Sequence, residues 1–391
     1  MPHPRYRSPV LRALAGGAAL AAVMGVSRFA YTALLPSLQK GLGLDDASGG
    51  LIASGNLAGY LVGVLWARRT PPGAPRRWLL RTGLALSVFT TGAVGALSGV
   101  SAWLAFRFAA GVASGLVFVL ASALVLEGLP RGKEPLAGLH YGGVGVGMAL
   151  SGLLAAFVNP LGWQLPWLLL AILCAGLAVP ALLLGPPLVV AGRAAPEPAP
   201  GDVGFGRLAI AYFLQGLGYI VSGTFAVRAV QQTPGLAAWA PWVWVATGVA
   251  AAPSAWFWAA ASHRLGSRRA LVAAFWSQAL GMALPAVSSS GWAALLGALL
   301  FGGTFMGIVT MALEAGRRLM PEAVARAVGS LTAVYGVGQV IGPVAAGWLS
   351  RALGDPRPAV LAAAGAVALG GAVLAVGRRP SLELHRDRAA S

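Results

Sequence analysis

Apolar segments of about 20 residues recur along almost the whole chain, and this repeated length limits the folds open to it. A helix of that length crosses about 30 Å of hydrocarbon. The segments do not alternate polar and apolar positions, as the strands of a transmembrane barrel do. Only 10% of the 391 residues are charged, against about 25% in soluble domains. The sequence therefore predicts an all-α membrane protein.

We expect twelve membrane-spanning helices in two bundles of six. The predicted helices cover residues 11–38, 47–67, 78–98, 101–127, 137–158, 163–184, 207–228, 238–261, 270–288, 292–314, 328–350 and 359–376. After the sixth helix, a stretch rich in Pro, Gly and Ala has the composition of a linker. The predicted domains are an N-terminal six-helix bundle over 1–187, a cytoplasmic linker over 188–206, and a C-terminal six-helix bundle over 207–391.

The net charge of +17 reflects a basic bias in alternate loops. Most of the 28 Lys and Arg residues fall in one set of loops, which includes both ends of the chain. That distribution is typical of cytoplasmic loops. We therefore expect a multi-pass protein of a bacterial-type inner (plasma) membrane with both termini in the cytoplasm. The expected partners are the lipid bilayer and a small-molecule substrate. No basic patch remains for nucleic acid, and we expect a monomer.

The two predicted halves resemble each other at a common offset of about 195 residues. Residues 27–30 (SRFA) align with 222–225 (SGTF), and residues 141–145 (YGGVG) align with 335–339 (YGVGQ). The apolar core of the first segment is short enough for a signal peptide, but removing it would leave one repeat incomplete. We therefore expect it to be the first helix of the N-terminal bundle.

Several motifs resemble the major facilitator superfamily, whose members have two parallel six-helix repeats around a central cavity. Residues 261–269 (ASHRLGSRR) are similar to the family's basic loop G-x-x-x-D-R-x-G-R-R, with a histidine where the acid usually stands. Residues 67–77 (ARRTPPGAPRR) keep the arginines of the first copy and lack its acid. Arg107, followed by Gly111 and Gly115, matches the arginine and glycines of the family's fourth helix.

Four further runs look like the YbfB/YjiJ-like branch of this superfamily. They are GVSRFAYTALLP at 25–36, YGGVGVGMALSG at 141–152, GLGYIVSGTF at 216–225 and YGVGQVIGPVAAG at 335–347. The resemblance covers almost the whole chain. It implies a twelve-helix transporter in which helices 1, 4, 7 and 10 line the cavity.

The N-terminal half carries two arginines inside predicted helices. A charge such as that of Arg28 at the centre of a span costs about 2.5 to 3.5 kcal/mol on insertion scales. Tyr31 and Thr32 follow it at i+3 and i+4, so all three share one helical face. Since neither Arg28 nor Arg107 has an acid at similar depth in its own span, we predict that one or both bind the acidic group of a substrate. Alternatively, Arg28 caps backbone carbonyls or bonds to a neighbouring helix, and Arg107 snorkels outward.

The C-terminal half offers neutral polar groups. Gln215, Tyr219 and Ser222 lie at i, i+4 and i+7 on helix 7, with Thr224 nearby. We predict that Gln215, Tyr219 and Thr224 orient a substrate by hydrogen bonding. Alternatively these groups tie helices together, the interpretation we favour for Gln339 in helix 11 and leave open for Asn56 in helix 2.

Two acids stand at the cytoplasmic ends of predicted helices, close to the basic loops. We predict gating pairs between Glu127 and Arg68 or Arg69, and between Glu314 and Arg264 or Arg268. These pairs would lock the cytoplasmic side in the outward-open state. Exposed pairs contribute about 0 to 1 kcal/mol each, which suits a latch that must open. Alternatively one of the acids, or a histidine, carries a coupling proton.

The sequence lacks the motifs that are typical of other classes of protein. The single cysteine, Cys174, and the single histidine near a span, His140, exclude haem or paired-histidine metal sites within the membrane. We expect no cofactor, no metal and no enzymatic activity. A serine hydrolase would need a serine facing His140, for which we expect a loop contact instead. The sequence thus predicts secondary active transport of a small organic solute, preferably an anion, by alternating access; the alternative is efflux of neutral or cationic amphipathic compounds.

Overall fold

The computed structural model describes residues 8–71, 73–130, 133, 135–158, 161–182, 184 and 204–376. Within these ranges, twelve helices are long and apolar enough to cross a membrane, which confirms the predicted all-α fold. We label them α1 Pro9–Leu42, α2 Asp46–Arg69, α3 Ala74–Ala96, α4 Val100–Leu126, α5 Leu136–Val158, α6 Gln164–Leu182, α7 Phe205–Gln232, α8 Ala237–Leu265, α9 Ser267–Val287, α10 Gly291–Leu319, α11 Arg326–Leu353 and α12 Arg357–Ala375.

The boundary between the predicted bundles differs slightly from the structure. Because α7 begins at Phe205, the last two residues of the predicted linker, Phe205 and Gly206, are already helical. The rest of that linker, 188–203, lies outside the described residues, as do the terminal segments 1–7 and 377–391. The division of the chain into two domains at this linker stays a prediction.

Local signals explain where the first two helices end and begin. Gly43, with φ at 65°, closes α1 in the left-handed conformation that glycine adopts without strain. Asp45 then caps α2, since its side chain accepts a 2.8 Å hydrogen bond from the backbone N–H of Ser48. The tight turn holds α1 and α2 antiparallel. We call this end of the molecule the Asp46 end, and the opposite end, where α4 finishes, the Glu127 end.

The two halves meet along helix pairs built on small residues. In α5 and α8, a Cβ atom at Gly145 would overlap the backbone nitrogen of Ala252, so the two helices approach at backbone distance. The backbone of α2 at Gly50 lies against the Pro343 carbonyl of α11 in the same way. These contacts bring α1 and α7 together at the centre, where the candidate site lies.

Candidate functional site

The backbone of α1 changes helix type next to Arg28. It is α-helical over Pro9–Leu20, π-helical over Ala21–Arg28, and α-helical again over Ala30–Leu42. The N–H of Phe29 bonds to the carbonyl of Met24 at 2.9 Å, five residues back. Such a wide turn interrupts the regular pairing of backbone groups and is frequent at functional sites. The carbonyls beside the interruption need donors from elsewhere.

Arg107 of α4 supplies those donors. One terminal nitrogen donates to the carbonyl of Ser27 at 2.7 Å and the other to the carbonyl of Arg28 at 2.9 Å. Its own carbonyl accepts from Nδ2 of Asn56 in α2 at 2.8 Å. Arg107 therefore ties α4 to α1, and Asn56 ties α2 to α4. Arg107 is buried and both of its terminal nitrogens donate to backbone carbonyls, so the alternative that it snorkels outward is wrong. That Arg107 binds the acidic group of a substrate stays a prediction.

Arg28 has few partners although only 4% of its surface is exposed. Its guanidinium lies 4.1 Å from the ring centroid of Tyr60 and 5.1 Å from that of Phe29. One terminal nitrogen is 3.7 Å from the sulfur of Met24, whereas Nε and Nη2 have no hydrogen-bond partner. None of the ion pairs found among the described residues includes Arg28. A permanent charge with two unsatisfied donors therefore lies buried between the halves.

Facing it from the C-terminal half is a stack of parallel rings, which we call the aromatic column: Tyr212, Tyr219, Phe305 and Tyr335. The centroids of Tyr212 and Tyr335 are 4.4 Å apart, those of Tyr219 and Tyr335 5.6 Å, and those of Tyr219 and Phe305 5.1 Å, with interplanar angles of 14°, 7° and 22°. Phe29 meets the edge of Phe305 at 5.6 Å. The column thus reaches α1 beside Arg28.

Four other predicted binding residues have partners elsewhere. The hydroxyl of Tyr31 donates to the Gly49 carbonyl at 2.9 Å, and that of Thr32 donates to the carbonyl of Gly223 in α7. Gln215 donates to Oε1 of Gln278 at 3.0 Å, inside the C-terminal half.

Thr224 bonds back to the Ile220 carbonyl of its own helix at 2.8 Å. Because the interruption at Phe29 rotates α1, Tyr31 lies under Arg107 at 5.0 Å and not beside Arg28. Of the predicted binding residues, the structure therefore brings together Arg107 and Tyr31, and it places Tyr219 in the group of rings that reaches Arg28 through Phe305 and Phe29.

The predicted gating acids have different partners from those we expected. Glu127 pairs with Arg76 at 3.2 Å, and Glu314 pairs with Arg318 at 3.1 Å, one turn along α10. The predicted pairs do not form in the described part of this structure, and their formation in an outward-open state stays a prediction.

The four arginines proposed for those pairs lie elsewhere. Arg68 lies against Gly329 of α11, and Arg268 donates to the Leu374 carbonyl at 2.9 Å. Arg69 and Arg264 are exposed. Both acid pairs at the Glu127 end therefore stay within one half of the molecule.

At the Asp46 end, ion pairs join the two halves instead. The buried carboxylate of Asp46 accepts from Arg228 of α7 at 3.3 Å and from Nε2 of Gln39 at 2.7 Å. Its neighbour Asp45 pairs with Arg351 of α11 at 3.1 Å. The backbone N–H of Ser48 lowers the pKa of Asp45, so its carboxylate stays ionised at neutral pH. We call these two pairs the Asp46 gate; the sequence analysis missed it.

His140 makes a contact that the sequence did not indicate. It is completely buried, and its Nε2 lies 2.9 Å from Oγ of Ser122 in α4, so the expected loop contact is wrong. Its Nδ1 has no hydrogen-bond partner among the described residues and faces Gly16 of α1. A third, acidic member that would orient the ring for hydrolysis is therefore missing there.

Comparison with known protein families identifies the family to which the chain belongs. Residues 20–375 match the family model described as uncharacterised MFS-type transporter YbfB. The chain belongs to this family. Membership confirms the resemblance to the major facilitator superfamily drawn from the sequence motifs. The protein is thus a multi-pass membrane protein of a transporter family.

Solved structures share the fold of this YbfB-family protein. A crystal structure of the nucleoside transporter NupG (D323A mutant) superposes with a TM-score of 0.71 at 14% identity, over 94% of this chain and 99% of that one. A bacterial homologue of the human lysosomal transporter Spinster, inward-facing and occupied, gives 0.68 at 17% identity, over 95% and 97%. No curated protein matches the chain. Identities this low establish the fold alone.

The described part of this YbfB-family protein offers no metal centre. Within that part, no group of three or more His, Cys, Asp or Glu residues is placed to hold an ion. A cavity of about 20 Å³ lies in the C-terminal half, lined in part by Ser222, Thr247 and Phe301. It has room for about one water molecule. Because only 4% of the surface of Arg28 is exposed, the site around it is closed in this structure.

The distribution of tyrosines would have indicated the central site. All but one of the seven tyrosines lie in membrane-spanning helices, whereas tyrosine usually concentrates at the two membrane interfaces. We noted Tyr141 and Tyr335 only as members of the internal repeat. Tyr60 had no signal beyond its position in the middle of a span.

Proposed function

We propose that this protein is a secondary transporter that moves a small organic anion by alternating access, with Arg28 binding the acidic group. One observation carries the proposal: Arg28 is a buried, permanent charge with two unsatisfied N–H donors. Leaving such a charge without a counter-ion is costly in a membrane span. A carboxylate or phosphate would satisfy both donors through short charge-assisted hydrogen bonds.

The C-terminal half would complete the site. Tyr219 lies in the aromatic column, and its hydroxyl accepts from Nε2 of Gln339 in α11. Oε1 of Gln339 has no hydrogen-bond partner and the residue is 1% exposed. Gln339 can therefore accept a hydrogen bond from a donor group on the substrate. In this proposal Arg28 of the N-terminal half binds the charged group of the substrate, and Gln339 of the C-terminal half orients the substrate by a hydrogen bond.

Charge supports an orientation of the chain in the membrane. The basic loops concentrate at the Glu127 end, and positive loops stay in the cytoplasm. We therefore assign the Glu127 end to the cytoplasm, with both termini there, and the Asp46 end to the outside of an inner membrane. Because the Asp46 gate joins the halves and the Glu127 pairs do not, we propose that this state is closed to the outside.

A ligand screen tests the substrate class. Purified protein in detergent would be heated with succinate, benzoate and phosphate as anions, uridine as a neutral ring, and tetraphenylphosphonium as an amphipathic cation. A ligand at 100 times its dissociation constant adds about 2.7 kcal/mol of stability, which raises Tm measurably. We expect at least one anion to raise Tm, and to lose that effect in Arg28→Met.

Other outcomes of the screen would contradict the proposal. Uridine belongs in it because NupG, which shares the fold, is a nucleoside transporter. Stabilisation by uridine or by the cation alone, equal in wild type and Arg28→Met, would indicate transport of neutral or cationic compounds and a structural Arg28.

The Asp46 gate yields a prediction about accessibility. Ala47 lies at the contact between α2 and α11, beside Gly347, and is buried. In a Cys174→Ser background, Ala47→Cys should react slowly with a maleimide. Adding Arg228→Gln removes a partly buried ion pair worth about 1 kcal/mol, so labelling should rise about fivefold. Loss of a cation near the thiol would by itself slow the reaction, so an increase reports opening.

The matched control is Arg357→Gln. Arg357 pairs with Asp355 at 2.7 Å at the same end of the molecule, but within one half. It should leave the labelling rate unchanged. A second reporter, Lys40→Cys, is exposed and should label quickly in every background. Equal labelling of Ala47→Cys with and without Arg228→Gln would remove the gate from the proposed mechanism.

A further inference from the structure

Most tyrosines of this protein lie within its membrane spans. Six tyrosines lie in the described spans: Tyr31, Tyr60, Tyr141, Tyr212, Tyr219 and Tyr335. A phenol buried in hydrocarbon needs partners for its hydroxyl, which is why tyrosine usually lies at membrane interfaces. The concentration therefore points to a use for the phenol rings.

The rings form two flat surfaces, one in each half. In the C-terminal half, the aromatic column presents rings that are within 22° of parallel in each adjacent pair. In the N-terminal half, Tyr60 lies 6.1 Å from Phe118, which in turn lies 6.2 Å from Tyr141. Tyr60, Phe118 and Tyr141 are only partly buried, whereas most of the column is fully buried. The N-terminal surface therefore keeps area that another ring can cover.

Arg28 lies where these two surfaces meet. Its guanidinium lies over the ring of Tyr60 at 4.1 Å and 5.1 Å from that of Phe29, and Phe29 contacts Phe305 of the aromatic column at 5.6 Å. The unsatisfied Nε and Nη2 of Arg28 and the unsatisfied Oε1 of Gln339 flank the same group of rings. Two donors and one acceptor without partners thus accompany the aromatic surfaces.

We infer that the substrate is a flat aromatic ring carrying a carboxylate and a hydroxyl or amino group. This inference rests on the proposed function and names its substrate class. The carboxylate binds Nε and Nη2 of Arg28, the ring stacks between Tyr60 and the aromatic column, and the ring's donor bonds to Oε1 of Gln339. A saturated ring of the same size keeps both polar contacts but cannot stack, since its carbons are not coplanar.

The test compares two acids that differ in the planarity of the ring. 4-Hydroxybenzoate and trans-4-hydroxycyclohexanecarboxylate carry the same charge and the same two polar groups. Their dissociation constants would be measured by calorimetry on the purified full-length protein. We expect 4-hydroxybenzoate to bind at least about tenfold more tightly, from stacking on two aromatic surfaces.

Two variants test whether the aromatic column causes the tighter binding of 4-hydroxybenzoate. Tyr335→Leu should reduce the ratio of the two dissociation constants to near one. Trp292→Leu is the matched control, because Trp292 forms a comparable ring pair with Trp239 at 5.5 Å but is exposed and remote from Arg28. Trp292→Leu should keep the wild-type ratio of the two dissociation constants. Should Tyr335→Leu fail to fold, the ratio in wild type still decides the inference.

The remaining outcomes separate the inference from the proposed function. Equal binding of both acids, lost in Arg28→Met, would overturn the aromatic substrate and leave anion transport in place. Failure of both acids, with succinate still binding through Arg28, would do the same. Ring binding that survives Arg28→Met would overturn the proposed function itself, and with it the aromatic acid.

Discussion

Arg28→Met is expected to abolish anion binding and to leave the empty protein at least as stable as wild type. The two effects have one cause. Nε and Nη2 of Arg28 have no partner in the closed site, so a bound carboxylate gains two charge-assisted hydrogen bonds, each worth about 1.5 to 3 kcal/mol. Losing both should weaken binding about 100-fold or more. Replacing a buried, unpaired charge by an apolar side chain of similar length is neutral or stabilising.

Two further variants separate the effect of the guanidinium group on binding from a general loss of stability. Arg28→Lys keeps the charge but loses the planar fork, so it should retain part of the affinity. Arg12→Met is the control. Arg12 is also a buried arginine of α1, but it lies several turns before Arg28, and its terminal nitrogen donates to the Leu124 carbonyl at 3.1 Å. It should lower Tm and leave the dissociation constant unchanged. Wild-type affinity in Arg28→Met would contradict an anion site at this residue.

Arg107→Met is expected to have the opposite signature, a large loss of stability with a secondary effect on binding. The variant removes donors at 2.7 and 2.9 Å from two buried carbonyls beside the interruption of α1. Each charged hydrogen bond contributes about 1.5 to 3 kcal/mol, so we expect the two together to account for a loss of about 3 to 6 kcal/mol. Tm in detergent should fall by about 5 °C or more.

Arg107→Lys provides the graded comparison. Its single ammonium can replace one of the two hydrogen bonds, so about half of the stability loss should return. Thermal unfolding and ligand affinity would be measured on the same preparations. An unchanged Tm combined with lost anion binding would mean that Arg107 contacts the substrate, as one of the sequence hypotheses stated.

The ion pairs at the two ends of the molecule show what the positions of charged residues in the sequence predict and what they do not. Opposite charges near the same membrane face predicted ion pairs at the Glu127 end, and both acids there do form pairs. Their partners are Arg76 and Arg318, each within the same half. The pairs that join the halves involve Asp45 and Asp46, in a tight turn that drew no attention in the sequence because an acid before a helix is usually a cap.

By itself, the sequence determined the twelve helices, the family and the presence of a buried charge at Arg28. These follow from segment length, from motif spacing and from the high cost of a charge in hydrocarbon, all of which are local properties of the chain. Only the tertiary structure decided that Arg28 keeps both Nε and Nη2 without hydrogen-bond partners, whereas Arg107 keeps only Nε without one. Arg28 and Arg107 are both buried arginines, but only the π-helical segment of α1 places free carbonyls opposite Arg107.

The tertiary structure also decided which rings surround Arg28. Tyr60, Tyr219 and Tyr335 come from three helices widely separated in the chain, and no local pattern links them. The rings of Tyr219 and Tyr335 meet because small residues let α7 and α11 approach at backbone distance, as at Gly216 and Gly338. Gly50 brings α2, which carries Tyr60, against α11 in the same way. The sequence determined what must be buried, and the packing of the two halves decided what each buried group contacts.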